Sequence, residues 1–206
     1  MLRPVVLSAL VSTVALCLLV GAGCTPQPTL DLRPGARLLY EVDYLGLDRY
    51  PFIVTVVQND SVVALDYLLD HPPSSSQGRI TMTPSALDDG FRQMNFYADG
   101  RHDYTFEDST TVWVSDAVYE AMAAGRPVMV NLGPSTAPDD TMRTTGREMI
   151  SVRIGDETVE LPVLVGRTDD GKGIWVWDNP ENPVILKLYQ RWYLTIRAFE
   201  PPPGGE

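Results

Sequence analysis

From Arg37 onward, apolar and polar residues alternate with a period of two. Leu38, Tyr40, Val42 and Tyr44 fall on one side and Glu41 and Asp43 on the other, the pattern of a half-buried strand. Phe52–Val57 is apolar on both faces and reads as a more central strand. Asn59-Asp60 marks a turn, after which Val63, Leu65, Tyr67 and Leu69 alternate again. These segments predict three consecutive antiparallel strands. His71–Gly78, with Pro72, Pro73 and a run of serines, reads as a loop. Ile80 and Met82 predict a short strand. Thr83-Pro84 then opens a single helical turn that ends at Gly90. Met94 and Phe96, then Tyr104 and Phe106, then Val112 and Val114 predict further short strands, with a turn at Asp99-Gly100.

The clearest helix signal is Asp116–Ala124. Ser115 suits the N-cap, Asp116 the positive end of the dipole, and Gly125 the stop. Val128–Leu132 is a strand, and Gly133–Asp140, with Pro134 and Pro138, a second loop. The last third alternates most regularly: Ile150 to Ile154, Val159 to Val165, Ile174 and Val176, Val184 to Leu188, then Trp192 to Ala198. Turns at Gly155-Asp156 and Asp169-Asp170-Gly171 divide these runs. The whole predicts a mainly all-β fold. It should be a curved antiparallel sheet or part-open β-barrel, with one short helix near its mouth. A sheet of about a dozen strands has to curl, because open twisted sheets rarely exceed about ten.

The first residues follow different rules. Arg3 is the only charge ahead of an apolar run, and small residues Gly21, Ala22 and Gly23 precede Cys24. This is the layout of a secretory signal. Leu18-Leu19-Val20-Gly21-Ala22-Gly23-Cys24 resembles the lipobox of bacterial lipoproteins, although Gly21 stands where that motif usually has leucine. The resemblance implies cleavage before Cys24, lipid on its sulfur, and a place in the cell envelope. Thr25 after the cysteine, by the same resemblance, implies the periplasmic face of the outer membrane. The expected organisation is a signal peptide over 1–23, a lipidated cysteine and tether over 24–36, one β-rich domain over 37–200, and a disordered tail over 201–206. Eleven tether residues reach at most about 40 Å. The other cysteine, Cys17, lies in the apolar run, so the cleaved chain has no thiol for a disulfide or a metal.

Charge narrows the partners. The chain carries a formal −11 with only two lysines, Lys172 and Lys187. Such acidity disfavours nucleic acid and anionic headgroups. No cofactor motif is present: phosphate-binding glycine loops and spaced calcium ligands are both missing.

Candidate chemistry is sparse. His71 lies in the Pro-Pro-Ser loop, and His102 neighbours Asp103 in a strand, where adjacent side chains point apart. The pairs Asp88-Asp89, Asp139-Asp140 and Asp169-Asp170 sit beside turns and read as solvated. No Gly-x-Ser-x-Gly elbow occurs, and Ser115 is explained as a cap. The aromatic stretch near the end is more suggestive. Trp175 and Trp177 share a strand face opposite Ile174 and Val176, so both faces are apolar. With Tyr189 and Tyr193 they form the candidate ligand-binding set. The alternative is that they pack the second face under the helix.

Trp177-Asp178-Asn179-Pro180-Glu181-Asn182-Pro183 leading into Val184–Lys187, together with Trp113-Val114-Ser115, resembles segments of β-rich bacterial envelope proteins of unknown function. That resemblance brings no catalytic residues. The architecture is also similar to lipoprotein-carrier folds that hold acyl chains, an analogy of shape alone. The expected function is a membrane-anchored, non-catalytic envelope lipoprotein that binds an apolar ligand or lipid in its curved sheet. The alternative is a structural or assembly lipoprotein that contacts an envelope protein. A hydrolase would need convergent ionisable groups brought from distant positions.

Overall fold

The structure is a computed structural model that describes residues 29–134 and 136–204. The signal segment, Cys24 and the first tether residues lie outside these. The strands are β1 (Arg37–Asp43), β2 (Arg49–Asn59), β3 (Val63–His71), β4 (Ser74–Met82), β5 (Arg92–Gln93), β6 (Gly100–Arg101), β7 (Tyr104–Phe106), β8 (Ser109–Thr110), β9 (Val128–Val130), β10 (Asp140–Ile154), β11 (Glu157–Thr168), β12 (Gly173–Trp177), β13 (Ile185–Tyr189) and β14 (Tyr193–Glu200). Two helices, α1 (Pro84–Asp89) and α2 (Asp116–Ala123), interrupt them. None of the described helices is long and apolar enough to cross a membrane.

The fold is mainly β, as the alternation predicts. Twelve strands form one curved sheet along the path β6-β4-β3-β2-β1-β14-β13-β12-β11-β10-β9, with β7 also paired to β4. An extra pairing between β14 and β10 closes β10 to β14 into a ring, while β1 to β4 continue as an open flank. The result is part-closed and part-open. Most pairs are antiparallel, but β4 pairs with β6 and β7, and β10 with β14, in parallel. Parallel pairs need long crossovers, and the excursions after β4 and β10 supply them.

Register assigns the faces, since residues opposite one another in an antiparallel pair share a side. Tyr40 pairs with Phe52 and Ile196, Val42 with Tyr50 and Leu194, and Leu194 with Leu188. These side chains form the continuous core face with Ile174 and Val176. Tyr40 is fully enclosed there, and its hydroxyl donates to the Ile185 carbonyl at 2.9 Å. Burial raises its pKa far above the ordinary tyrosine value.

The segment between β4 and β10 packs on this core face. α1 has Thr83 as N-cap and Gly90 as C-cap, and α2 has Ser115 as N-cap with its hydroxyl accepting from the Val118 N–H, as the sequence predicts. Val118 meets Met142 and Ile174 around a small void, and Thr144 Oγ1 donates to the Met122 carbonyl at 2.8 Å. The helix therefore lies on the Ile174 side, not over Trp175 and Trp177.

Several expectations need correction. Ser74–Gly78 is strand, not loop, because β4 pairs with β3 along its whole length. Val112 to Val114 is not a strand. Val112 takes a φ of 47°, a left-handed conformation that is costly for a β-branched residue. It is held there by the Ile185 N–H donating to its carbonyl and the Val114 N–H donating to Pro183. Met94 to Phe96 is irregular, with only Arg92–Gln93 before it in a strand. The folded body also begins before Arg37: Leu30 and Leu32 are buried. At the other end Pro202 is buried, and it lies with Pro203 close against Gly35. That part of the tail is packed rather than disordered.

Candidate functional site

Among the described residues, a groove of about 410 Å³ opens at one end of the core face. Its floor comes from neighbouring strands: Val42, Tyr50, Phe52, Leu69 and Leu194. Register places all five on the same side. Tyr44, His71, Ser74, Ser75 and Ser76 lie where β1, β3 and β4 reach this end. One wall is the loop Asn95–Asp99 and the other is the β13–β14 turn, Gln190-Arg191-Trp192.

The loop wall is pinned by Tyr97. Its ring stacks on Tyr67 at 4.7 Å and on Phe52 at 5.6 Å. Its hydroxyl is 2.5 Å from Thr111 Oγ1, and the Met94 N–H donates to the Thr110 carbonyl at 2.8 Å. Burial raises the Tyr97 pKa well above the ordinary phenol value, so the ring stays neutral at any working pH. Phe96, next to it, is exposed at the mouth.

The turn wall is tight. Arg191 takes a φ of 71° at its tip, and the Gln190 N–H donates to the Trp192 carbonyl at 2.9 Å. Gln190 is only 6% exposed, lines the groove, and has its Nε2 buried without a hydrogen-bond partner. Buried polar groups are nearly always paired, and of the three orphan side-chain atoms among the described residues, on Arg92, Gln93 and Gln190, only that of Gln190 belongs to a residue lining this groove.

The rim carries an imidazole and a carboxylate. His71 Nε2 meets Asp48 Oδ2 at 2.7 Å, under the Tyr50 ring at a centroid distance of 4.3 Å. Burial, then the nearby Asp48 carboxylate, raises the Tyr50 pKa. A serine hydrolase would need a serine hydroxyl on the imidazole. Here Ser74 Oγ instead donates to the backbone carbonyl of His71. The His71–Asp48 pair is also about half exposed, far from the desolvated setting that catalytic bases use.

The side chains singled out from sequence lie elsewhere. Trp175 is 5% exposed and its indole N–H donates to Glu148 at 2.9 Å. Arg167 and Lys187 sit over its ring at 4.3 and 4.5 Å. Trp177 is 2% exposed. Tyr189 and Tyr193 pack against each other with tilted rings at 4.8 Å, and Lys187 lies above Tyr193. These four belong to the face opposite Ile174, and none lines the groove. Two of the three aspartate pairs are engaged: Asp169 with Arg143, Asp170 with Lys172, Asp139 with Asn131, and Asp140 with the backbone N–H of Asp170. Among the described residues no group of three His, Cys, Asp or Glu converges.

Tyr44, Tyr50, Phe96, Tyr97, Gln190 and Trp192 escaped the sequence reading. Phe96 and Tyr97 stand just before the predicted Asp99-Gly100 turn, but Tyr44, Tyr50, Gln190 and Trp192 share no local signal with them. No protein-family model matches the chain, and no curated protein or solved structure matches it.

Proposed function

We propose that the chain is a non-catalytic binding module of the bacterial cell envelope, held to a membrane by lipid on Cys24, which takes a small ligand in the groove between the Asn95–Asp99 loop and the Gln190–Trp192 turn. The observation that carries this reading is the groove itself, with aromatic walls and the unpaired amide of Gln190 at its side. Its 410 Å³ falls within the usual range of small-molecule sites, about 300–1,000 Å³. The lipid anchor rests on the lipobox resemblance. The expected ligand site moves from Trp175 and Trp177 to this groove.

Two measurements test it. Full-length protein expressed in a Gram-negative host is labelled with a radioactive or clickable fatty acid. Label retained in the wild type and lost in Cys24→Ser, with that variant leaving the membrane fraction, supports the anchor. Label retained in the variant refutes it. Native mass spectrometry of the full chain, followed by organic and aqueous extraction, reads the groove. A co-purifying small molecule displaced by Trp192→Ala supports the reading.

A second reading, an envelope assembly contact, has one observation in its favour. Leu45 and Leu47 at the β1–β2 hairpin tip are 57% and 82% exposed beside the groove. Loss of an in-cell cross-link to an envelope protein in Leu47→Asp, with ligand binding intact, would favour it.

A further inference from the structure

We infer that the groove takes a short neutral saccharide, one or two pyranose rings long, supplied from the aqueous side rather than from the bilayer that anchors the chain. The inference rests on the binding reading above. Its first support is the lining. An acyl chain calls for aliphatic walls, yet only Val42, Leu69 and Leu194 are aliphatic, against six Phe, Tyr or Trp rings. A pyranose offers a face of C–H groups, weakly positive, that suits the negative face of an aromatic ring. It also offers an edge of hydroxyls that both donate and accept. Tyr50 and Trp192 supply rings, and Ser76, Asn95 and Gln190 supply hydroxyl and amide groups on the same lining.

Gln190 is the second support. Its side chain is more than nine-tenths buried, lines the groove and carries an unpaired Nε2. A purely apolar ligand would leave that amide unpaired in a still drier site, which is costly. A hydroxyl, able to give or take a proton, pairs with the amide in either orientation.

The third support is position. The described chain enters beside Val56 and Asn59: the Gly35 N–H donates to the Val56 carbonyl, and Asn59 Nδ2 to the Leu32 carbonyl. The groove lies at the other end of β1 and β2, by Val42, Tyr44 and Tyr50. Six steps of strand from Arg37 to Asp43 span about 20 Å. The chain from Cys24 to Thr29 reaches at most about 18 Å, and Leu30 is already buried in the body. The link thus joins the body at the strand end opposite the groove. Charge agrees with a neutral ligand. The molecule carries a formal −11, and the groove lining holds one carboxylate, Asp99, and one guanidinium, Arg191, whose formal charges cancel.

The test uses the full lipidated chain in phospholipid nanodiscs. Cellobiose, chitobiose, maltose and palmitate are titrated separately and read by tryptophan fluorescence and saturation-transfer NMR. The expected result is saturable binding of at least one disaccharide, weakened at least tenfold by Trp192→Ala and by Gln190→Met, with the melting temperature of Gln190→Met unchanged or higher. Palmitate binding that Trp192→Ala abolishes, with no disaccharide bound, overturns the saccharide inference and leaves the binding reading standing. Binding of none of the four, or binding that neither variant alters, overturns both.

Discussion

Replacing Gln190 with methionine separates the cost of an unpaired amide from its use. Nε2 is buried with no partner, and a buried polar group in that state costs about 1–3 kcal/mol. Methionine has nearly the same length and volume and no group to satisfy, so it keeps the contacts of a core-facing side chain. The unliganded variant should be more stable by about 1–2 kcal/mol, part of the gain being lost to imperfect repacking. For a domain of this size, 1 kcal/mol moves the melting temperature by about 2–4 °C. The expected rise is therefore about 2–8 °C. Urea denaturation with an unchanged slope, alongside calorimetry, measures it. A fall of 1 kcal/mol or more at unchanged slope would refute the reasoning. It would mean that the amide has a partner in solution, such as a bound water, and the groove would lose its strongest sign of a ligand.

Further perturbations follow from the same geometry. Tyr97→Phe removes the hydroxyl that meets Thr111, and should cost about 1 kcal/mol by denaturation while weakening ligand binding, because the loop wall loses its tie. Wild-type stability and affinity in that variant would show that the loop is held by stacking alone. Gly78→Ala should destabilise strongly, since a Cβ there would sit 1.9 Å from the His102 carbonyl oxygen, where β4 meets the chain after β6. A melting temperature within about 1 °C of wild type, under half the shift expected for 1 kcal/mol, would contradict it. Burial pushes the Asp170 carboxyl up, but hydrogen bonds from Lys172 and Thr168 outweigh it and hold the pKa at about 2. A depressed carboxylate stabilises the fold above its unfolded value of about 3.9 and loses that contribution as pH falls through the folded value. Asp170→Asn should therefore melt below wild type at pH 5, and the gap should close as pH falls from about 4 to 2. A gap that persists at pH 2 would place its origin in packing rather than charge.

Much of the fold was legible because its signals are local. Alternation from Arg37 to Tyr44, from Ile150 to Ile154 and from Val159 to Val163 follows from one buried face, and period two admits no other regular element. Thr83-Pro84 and Ser115-Asp116 carry their capping chemistry within a few residues, so both helix starts could be read directly. Where the reading missed, non-local forces prevailed. The serine run after Pro72-Pro73 looks like a loop, but β3 offers a free edge and draws it into the sheet. Met94 and Phe96 alternate like a strand, yet the stacking of Tyr97 on Tyr67 and Phe52 sets their backbone instead.

By itself the sequence determined that this chain is β-rich, where its main turns lie, which residues cap its helices, and that its first segment resembles a lipoprotein signal. Only the tertiary structure decided which face of the Ile174–Trp177 strand takes the helix, because both faces are apolar and periodicity cannot choose between them. Only the tertiary structure closed the ring between β10 and β14. It alone assembled the groove, from stretches near Tyr50, Ser75, Tyr97 and Trp192 that are far apart along the chain. A site made at the meeting of distant turns leaves no spacing for a sequence to show, and the unpaired amide of Gln190 exists only once the core has closed around it.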